Sequence, residues 1–160
     1  MAKKSEELSH LDKKGRAHMV DIGAKAVTAR EAVAEAWLTM LPGTLKLIKT
    51  GKAKKGDVLA VARIAGIQAA KRTPEWIPLC HQIPLESIKI EFEPSGANKL
   101  RVTATIRCSA KTGAEMEALC AVSTAALTVY DMMKAVDRGM RIDGVRVMKK
   151  SGGKSGTYVA

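Results

Sequence analysis

Two side chains of opposite charge, Asp131 and Lys134, lie three positions apart near the end of a long amphipathic segment. Residues at this spacing are neighbours on the surface of a helix, where they could act as an acid/base pair. The same spacing also gives an ordinary surface ion pair worth about 0.3 kcal/mol, and spacing alone favours that interpretation. Asp131 directly follows Tyr130 on the apolar stripe, however, so its carboxylate is expected at the edge of the core, which keeps the catalytic interpretation open.

Two further carboxylates stand at the beginning of the same segment. The run Thr112-Gly113-Ala114-Glu115 matches a capping box, which predicts that the Glu115 side chain returns to the backbone of Thr112. Glu117 has no such explanation and is either a site residue or a solvated surface group. Carboxylates fixed on a rigid helix beside an apolar face are suitable groups for proton transfer.

Cys80 and His81 are adjacent in an apolar loop bounded by prolines, WIPLCHQIP. Histidine side chains titrate near neutral pH and suit proton transfer, whereas a cysteine thiol could be a nucleophile. A lone histidine in such a loop is more often a core or hydrogen-bonded residue, and the sequence shows no base beside the thiol. The three cysteines have no C-x-x-C spacing, so we expect neither a disulfide framework nor a zinc site, and each is predicted to be a small buried hydrophobic residue.

Lysines crowd two glycine-containing segments, GKAKKG at 51–56 and KKSGGKSG at 149–156. A helix N-terminus beside lysines can hold an anion, and glycines let a backbone approach a phosphate closely. A solvated charge run and a flexible basic tail are the alternatives. The second segment is not a Walker A loop, because Met148 stands where that motif needs its first glycine. With the helix carboxylates, the two segments suggest a site for a phosphorylated small molecule.

The composition indicates a soluble globular chain of one domain. The 160 residues are 46% hydrophobic and 27% charged, and we expect a mobile polar arm at 1–16 followed by a single domain at 17–160. We find no apolar run that could cross a membrane and no secretory signal, which predicts a cytoplasmic protein. The net charge of +11 predicts anionic partners, although an aromatic content of 3% leaves few rings on which bases could stack.

Hydrophobic periodicity predicts the helices that must carry these groups. A short helix is expected over 42–49, and a second is expected from its cap Asp57 to about Lys71. The second helix is predicted to bury Leu59, Ile64 and Ile67. The long helix is expected over 112–134 and shows an apolar stripe at helical spacing. This stripe consists of Met116, Leu119, Cys120, Ser123, Ala126, Leu127, Tyr130 and Met133.

Alternating apolar residues predict the strands. Residues 31–40 are ambiguous, because alanine and glutamate favour helix, but their apolar residues share one parity and favour a strand. The strongest pattern is an antiparallel hairpin formed by 87–92 and 100–108. Two weaker strands are expected at 18–22 and 141–149, and Pro74, Pro78 and Pro84 are expected to interrupt regular structure. This order of elements predicts an α+β fold with helices on one face of an antiparallel sheet.

Four long motifs resemble the molybdenum cofactor biosynthesis protein C family, the cyclic pyranopterin monophosphate synthases. They are HMVDIGAK (18–25), KGDVLAVARIAGIQAAKRTPEWIPLCHQIPL (55–85), KTGAEMEALCAVSTAALTVYDMMKAVD (111–137) and KSGGKSG (150–156). The resemblance implies a ferredoxin-like α+β fold, assembled as a homohexamer (a trimer of dimers) with sites between subunits. It also implies conversion of a cyclic dihydro-GTP intermediate into cyclic pyranopterin monophosphate with release of pyrophosphate. This reaction has no redox step, and we assign neither a cofactor nor metal ligands.

The same resemblance implies roles for individual residues. Asp131 and Lys134 match the family's catalytic aspartate and lysine in the YDM-x-K motif, with Lys134 as general acid/base, and Lys55 matches a further active-site lysine. The implied substrate-binding residues are Lys71, Cys80, His81, Glu115, Glu117, Lys150 and Lys154. Two departures lie near His81: Gln82 stands where the family commonly has proline, and Trp76 replaces a smaller aliphatic residue. Met133 replaces a common cysteine, which argues that no thiol is required there.

Two other classes of function compete with a synthase. A nucleic-acid-binding protein would explain the charge and the basic tail, and it predicts duplex affinity that falls steeply with salt. A non-catalytic scaffold for other enzymes would leave the purified protein without activity. The resemblance favours the enzyme, with the cyclic dihydro-GTP substrate as its ligand and with neither nucleic acid nor a membrane as partner.

Overall fold

The computed structural model describes residues 14–160, so residues 1–13 of the predicted N-terminal arm lie outside the described part of the chain. Five strands and four helices follow one another along this part. They are β1 (Thr28–Thr39), α1 (Pro42–Lys49), α2 (Val58–Lys71), α3 (Thr73–Trp76), β2 (Leu85–Ser95), β3 (Lys99–Ala110), α4 (Glu115–Met133), β4 (Arg141–Ser151) and β5 (Tyr158–Val159).

The strands form one antiparallel sheet in the order β2-β3-β1-β4-β5. Apart from β5 and the two short helices, the chain runs β-α-β-β-α-β with β1 and β3 in the centre, which is the ferredoxin-like arrangement. The helices pack on one face of the sheet, as the α+β prediction requires. None of the helices in residues 14–160 is long and apolar enough to cross a membrane.

The strand parity predicted for β1 and β3 is confirmed. The buried apolar positions of β1 alternate from Ala32 to Leu38, and those of β3 alternate from Leu100 to Cys108, facing the helices. The β2–β3 hairpin also forms as predicted, around a turn at 96–98. Residues 18–22 do not form a strand, because the Asp21 side chain instead accepts a hydrogen bond from the Gly23 amide at 2.7 Å and closes a turn.

The helices differ from the prediction in which faces they bury. Asp57 caps α2 as expected, with its carboxylate accepting from the Ala60 amide at 2.9 Å. Ile64 and Leu127 were both predicted to be buried, but each is 59% exposed in the isolated chain. Small residues of α2 and α4 occupy the shared interface in their place, because a close approach of two helices excludes larger side chains.

One further prediction about local structure was wrong, and two other local features were not predicted. Pro74 does not break regular structure but lies in the first turn of α3, where the missing N–H of proline is not needed. Val145 is exposed, because irregular pairing between β1 and β4 changes the phase of β4. The tail after Gly153 is not entirely without structure, since β5 pairs with β4 through Lys150 and Tyr158.

Candidate functional site

Lys55, Asp131 and Lys134 meet at the C-terminal end of α4. The Lys134 ammonium donates to Asp131 Oδ1 at 2.7 Å, and Lys55 Nζ lies 3.6 Å from Asp131 Oδ2. Lys55 also donates to the backbone carbonyl of Asp131 at 3.1 Å, so it bridges the side chain and the backbone of one residue. The contact between Lys55 and Asp131 joins residues 76 positions apart. We call these three residues the lysine–aspartate triad.

The electrostatics of the triad favour a fixed pattern of charge. The hydrogen bond from Lys134, together with the charges of Lys134 and Lys55, lowers the pKa of Asp131. The hydrogen bond to Asp131 raises the pKa of Lys134. At neutral pH the triad therefore holds one carboxylate between two ammonium groups. Lys134 is held as a protonated hydrogen-bond donor, whereas Asp131 is a weak base suited to orienting its partner.

Lys55 reaches the triad because of the turn between α1 and α2. Gly56 has a φ of 92°, a conformation that favours glycine, and it directs the chain into the capped start of α2. The turn exposes Lys52 and Lys54 to solvent, as expected for a charge run. Of the three lysines in this turn, only Lys55 forms an ion pair within the described residues.

A second group of predicted residues lies at the N-terminal end of α4. Lys150 on β4 forms an ion pair with Glu115 at 2.9 Å. The capping box predicted for Glu115 does not form, because the helix starts at Glu115 itself and Ala114 occupies the cap position without a side-chain hydrogen bond. Glu115 is therefore tied to a strand of the sheet rather than to its own helix end. We call Glu115, Glu117, Lys150, Cys80 and His81 the helix-start cluster.

Glu117 is the most unusual group in the helix-start cluster. Only 2% of its surface is exposed, which excludes the solvated interpretation. Its Oε1 accepts from the Cys80 thiol at 3.7 Å, and its Oε2 has no hydrogen-bond partner. Burial raises the pKa of Glu117, which favours the neutral acid. A buried carboxyl group with one unpaired oxygen can both donate a proton and bind a polar ligand atom.

Cys80 is not an activated nucleophile. Burial, and then the nearby Glu117, raise the pKa of Cys80 to about 11, so the thiol remains protonated. Its sulfur lies 3.6 Å from the carbonyl oxygen of His81 and 3.7 Å from Glu117. All three cysteines are free, and Cys80 is only half-buried, unlike Cys108 and Cys120, so the prediction of burial fails for Cys80. The geometry gives Cys80 a hydrogen-bonding role beside the carboxyl group.

His81 completes the helix-start cluster, and the two other predicted residues, Lys71 and Lys154, lie at the surface. His81 is half-buried, and its imidazole makes no hydrogen bond within residues 14–160. Lys71 in the last turn of α2 and Lys154 in the loop after β4 are exposed, without an ion pair in the described part of the chain. In the same part, no group of three or more His, Cys, Asp or Glu side chains could hold a metal ion.

The triad and the helix-start cluster do not converge within one chain. Glu117 and Asp131 lie 14 positions apart on α4. At 1.5 Å per residue, this places their backbones about 21 Å apart. The fold thus brings the predicted catalytic residues together and gathers several binding residues, but it separates the two groups along a rigid helix.

Two residues of structural importance were missed in the sequence. Arg30 donates to the carbonyl oxygens of Ala110 at 3.0 Å and Lys111 at 3.2 Å. Arg30 has the same parity in β1 as the buried residues Ala32 and Ala34. A charged residue at such a position was the sign in the sequence that it has a structural role. Asp137 is buried and accepts from the Leu41 amide at 2.7 Å, but a single aspartate after a helix gave no comparable signal.

Comparison with known proteins assigns a family to this arrangement. A family model described as the MoaC family matches residues 19–153. The cyclic pyranopterin monophosphate synthase of Chloroflexus aggregans is 60% identical over 154 residues, covering 96% of this chain and 93% of that protein. The synthase of Chloroflexus aurantiacus strain J-10-fl is 58% identical over 99% of this chain and 98% of that protein. The synthase of Methylobacterium sp. strain 4-46 is also 58% identical, over 96% of each chain.

The match covers both ends of α4 and most of the described elements. It spans the triad and the helix-start cluster as well as the glycine loop up to Gly153. An identity near 60% over almost the full length of both chains is far above what a shared fold alone would produce. This chain belongs to the MoaC family.

Proposed function

We propose that the chain is a cyclic pyranopterin monophosphate synthase of molybdenum cofactor biosynthesis. This lyase converts a cyclic dihydro-GTP intermediate into cyclic pyranopterin monophosphate and releases pyrophosphate. The observation that carries the proposal is the meeting of Lys55, Asp131 and Lys134 at one end of α4, in a chain about as long as the named synthases that it resembles. The proposal needs no cofactor, and it includes a cytoplasmic location and residues 17–160 as a single catalytic domain.

The catalytic step is assigned to the triad. Lys134 is assigned as the general acid/base, because its ammonium has protons to transfer and the hydrogen bond to Asp131 fixes its direction. Asp131 orients Lys134 and stabilises its positive charge while the substrate ring opens. Lys55 holds Asp131 from the other side and presents a second ammonium group to an anionic substrate.

Substrate binding is assigned to the helix-start cluster and two exposed lysines, Lys71 and Lys154. The unpaired oxygen of Glu117 gains a partner when a ligand with N–H or O–H groups arrives, which relieves the cost of its burial. Glu115, Cys80 and His81 surround the same end of α4, while Lys150, Lys154 and Lys71 supply positive charge for phosphate groups.

A complete site then requires more than one copy of the chain. A span of about 21 Å along α4 is too long for one nucleotide-sized substrate to contact both groups of residues within one chain. We propose that the triad of one chain faces the helix-start cluster of another within a homohexamer, a trimer of dimers. Val61 and Ile64 on α2 and Leu127 on α4 are large apolar side chains left exposed in the isolated chain, and an interface would bury such residues.

The test is direct conversion by the purified protein. Incubation with the cyclic dihydro-GTP intermediate should yield the pterin product and pyrophosphate. Lys134→Ala and Asp131→Asn should each lower kcat by at least about 100-fold, the usual contribution of a positioned acid or base. Lys89→Ala removes a surface lysine paired with Glu91 and should keep full activity.

Two results would contradict the proposal. Product formation by Lys134→Ala at the wild-type rate would remove the assigned catalyst. Retardation of duplex DNA or RNA at low salt, by a wild-type protein that forms no product, would instead favour the nucleic-acid-binding class that the charge of +11 allows.

A further inference from the structure

Arg30 occupies an unusual position at the beginning of β1. It lies two residues before Ala32 and therefore shares the buried phase of the strand. Its guanidinium group is directed at the end of β3, where Nε donates to the Ala110 carbonyl and one terminal nitrogen donates to the Lys111 carbonyl. Two hydrogen bonds to consecutive carbonyls use the planar fork of arginine, which a lysine side chain cannot reproduce.

The glycine loop after β4 lies directly against this guanidinium group. A Cβ atom added to Gly153 would lie 2.5 Å from Arg30 Nη1 and 2.7 Å from Nη2. A Cβ atom on Gly152 would meet the carbonyl oxygen of Ala29 and lie 3.1 Å from Arg30 Cγ. Both glycines also have positive φ values, 97° and 73°. The loop can therefore approach Arg30 only because it lacks side chains at these two positions.

This contact connects the parts of the chain that carry the binding residues. The loop is flanked by Lys150, which pairs with Glu115, and by Lys154. Arg30 also donates a hydrogen bond to the backbone carbonyl of Lys111, which lies only four residues before α4 starts at Glu115. The Lys111 ammonium in turn donates to the Gly23 carbonyl at 2.7 Å.

We propose that Arg30 is a positioning residue of the substrate site. Its guanidinium group fixes the glycine loop relative to the start of α4, so that Lys150 is held against Glu115 and Lys154 is held beside the helix-start cluster. Arg30 acts through these residues and not on the reacting atoms. The inference rests on the proposed synthase function, because the value of a fixed loop lies in binding that substrate.

The test compares four variants by substrate kinetics and by hydrogen exchange of the peptide that covers 149–156. Arg30→Ala, Arg30→Lys and Gly153→Ala should each raise KM by about tenfold, as expected for the loss of a hydrogen bond to a charged group. The same variants should exchange faster in this peptide, while kcat stays within about threefold because the triad is untouched. Arg30→Lys keeps the positive charge but loses the planar pair of hydrogen-bond donors. A raised KM in this variant is therefore due to lost positioning and not to lost charge.

Gly96→Ala is the matched control. Gly96, in the turn between β2 and β3, also has a positive φ, 62°, but a Cβ atom there would meet nothing within 4 Å. This variant carries similar backbone strain outside the measured peptide and away from Arg30, so KM and exchange should stay close to the wild-type values. An equal defect in Gly96→Ala, a wild-type KM in Arg30→Lys, or unchanged exchange in Arg30→Ala would each overturn the positioning role. If the wild-type protein forms no product, the synthase proposal fails, whereas hydrogen exchange still decides whether Arg30 fixes the loop.

Discussion

Asp131 and Glu117 lie on the same helix, and their carboxyl groups have opposite environments. Asp131 is exposed between two lysines, which lower its pKa, whereas Glu117 is buried with one unpaired oxygen and a raised pKa. One group remains an anion and orients an ammonium, while the other favours the neutral acid. Such divergence between two carboxyl groups is a common basis for separate roles in one reaction.

Mixed oligomers test whether these two groups belong to one site formed between copies. Lys134→Ala and Glu117→Leu should each be inactive alone, since one lacks the triad and the other lacks the buried carboxyl group. In oligomers co-expressed at equal amounts, about a quarter of the sites should combine two intact halves and recover activity. The measurement is product formation by the purified mixed oligomer.

The control for this experiment uses two variants of the same group. Lys55→Ala and Lys134→Ala both damage the triad, which forms within one chain. No pairing of these chains restores a complete triad, so their mixed oligomers should remain inactive. Recovery in this control, or no recovery in the first mixture, would argue against a site shared between copies.

The strands could be predicted from the sequence more reliably than the buried faces of the helices. In β1 and β3 the side chains alternate between two faces of the sheet. Once apolar residues such as Ala32 or Ile106 are assigned to the core, the buried face of the whole strand is determined. Helix α4 packs against both the sheet and α2, and its buried residues form a wide band of alanine and valine. The buried stripe predicted from the larger apolar side chains therefore included Leu127, which is exposed in the isolated chain.

The site was predictable in its residue types but not in its arrangement. Helical spacing alone placed Asp131 beside Lys134. The approach of Lys55 depends on how the turn before α2 packs against the end of α4, a long-range contact that periodicity does not encode. The burial of Glu117 likewise depends on the loop that carries Cys80, which local patterns did not place.

The pH dependence of stability should reveal the buried Glu117. Its ordinary pKa is 4.5, and burial raises the pKa in the folded state, so above pH 4.5 the unfolded chain loses this proton first. The folded state binds more protons in the window from pH 4.5 up to the raised pKa, and its stability falls as pH rises through that window. Glu117→Gln does not titrate, so its urea midpoint should rise relative to wild type between pH 4.5 and 7.

Glu91→Gln provides the comparison for this pH series. Glu91 is an exposed carboxylate that pairs with Lys89, so the substitution does not alter a buried group. Its midpoint should follow the wild-type midpoint at every pH. A constant difference between Glu117→Gln and wild type across the series would mean that Glu117 ionises normally despite its burial.

Asp137 should contribute more to stability than its single charge suggests. Its Oδ2 accepts from the Leu41 amide at 2.7 Å and the Thr44 hydroxyl at 3.1 Å, so it caps α1 from beyond the end of α4. Asp137→Ala removes this cap and leaves buried donors unpaired, which should lower the free energy of unfolding by about 2–3 kcal/mol in urea titrations. Asp143→Ala breaks only a surface pair with Arg141 and should cost less than about 1 kcal/mol. Equal losses would exclude the capping role.

The close packing of α2 on α4 predicts opposite effects for the same substitution at two helical glycines. At Gly66, an added Cβ atom would meet Ile90 Cδ1 and would lie 2.9 Å from the Ala121 carbonyl oxygen, inside the interface. Gly66→Ala should therefore lower the free energy of unfolding by about 1–3 kcal/mol, even though alanine favours helix. At Gly43 in α1, the added Cβ atom would meet nothing within 4 Å, so Gly43→Ala should raise this free energy by about 0.5 kcal/mol.

Urea titration of the two glycine variants and the wild-type protein measures both effects. The sign is the decisive quantity, because helix propensity favours alanine at both positions and only the contacts differ. A stabilised Gly66→Ala variant would mean that α2 can move away from α4 at little cost. The alanine-rich interface would then not be the reason why Leu127 and Ile64 remain on the outer surface of the helices.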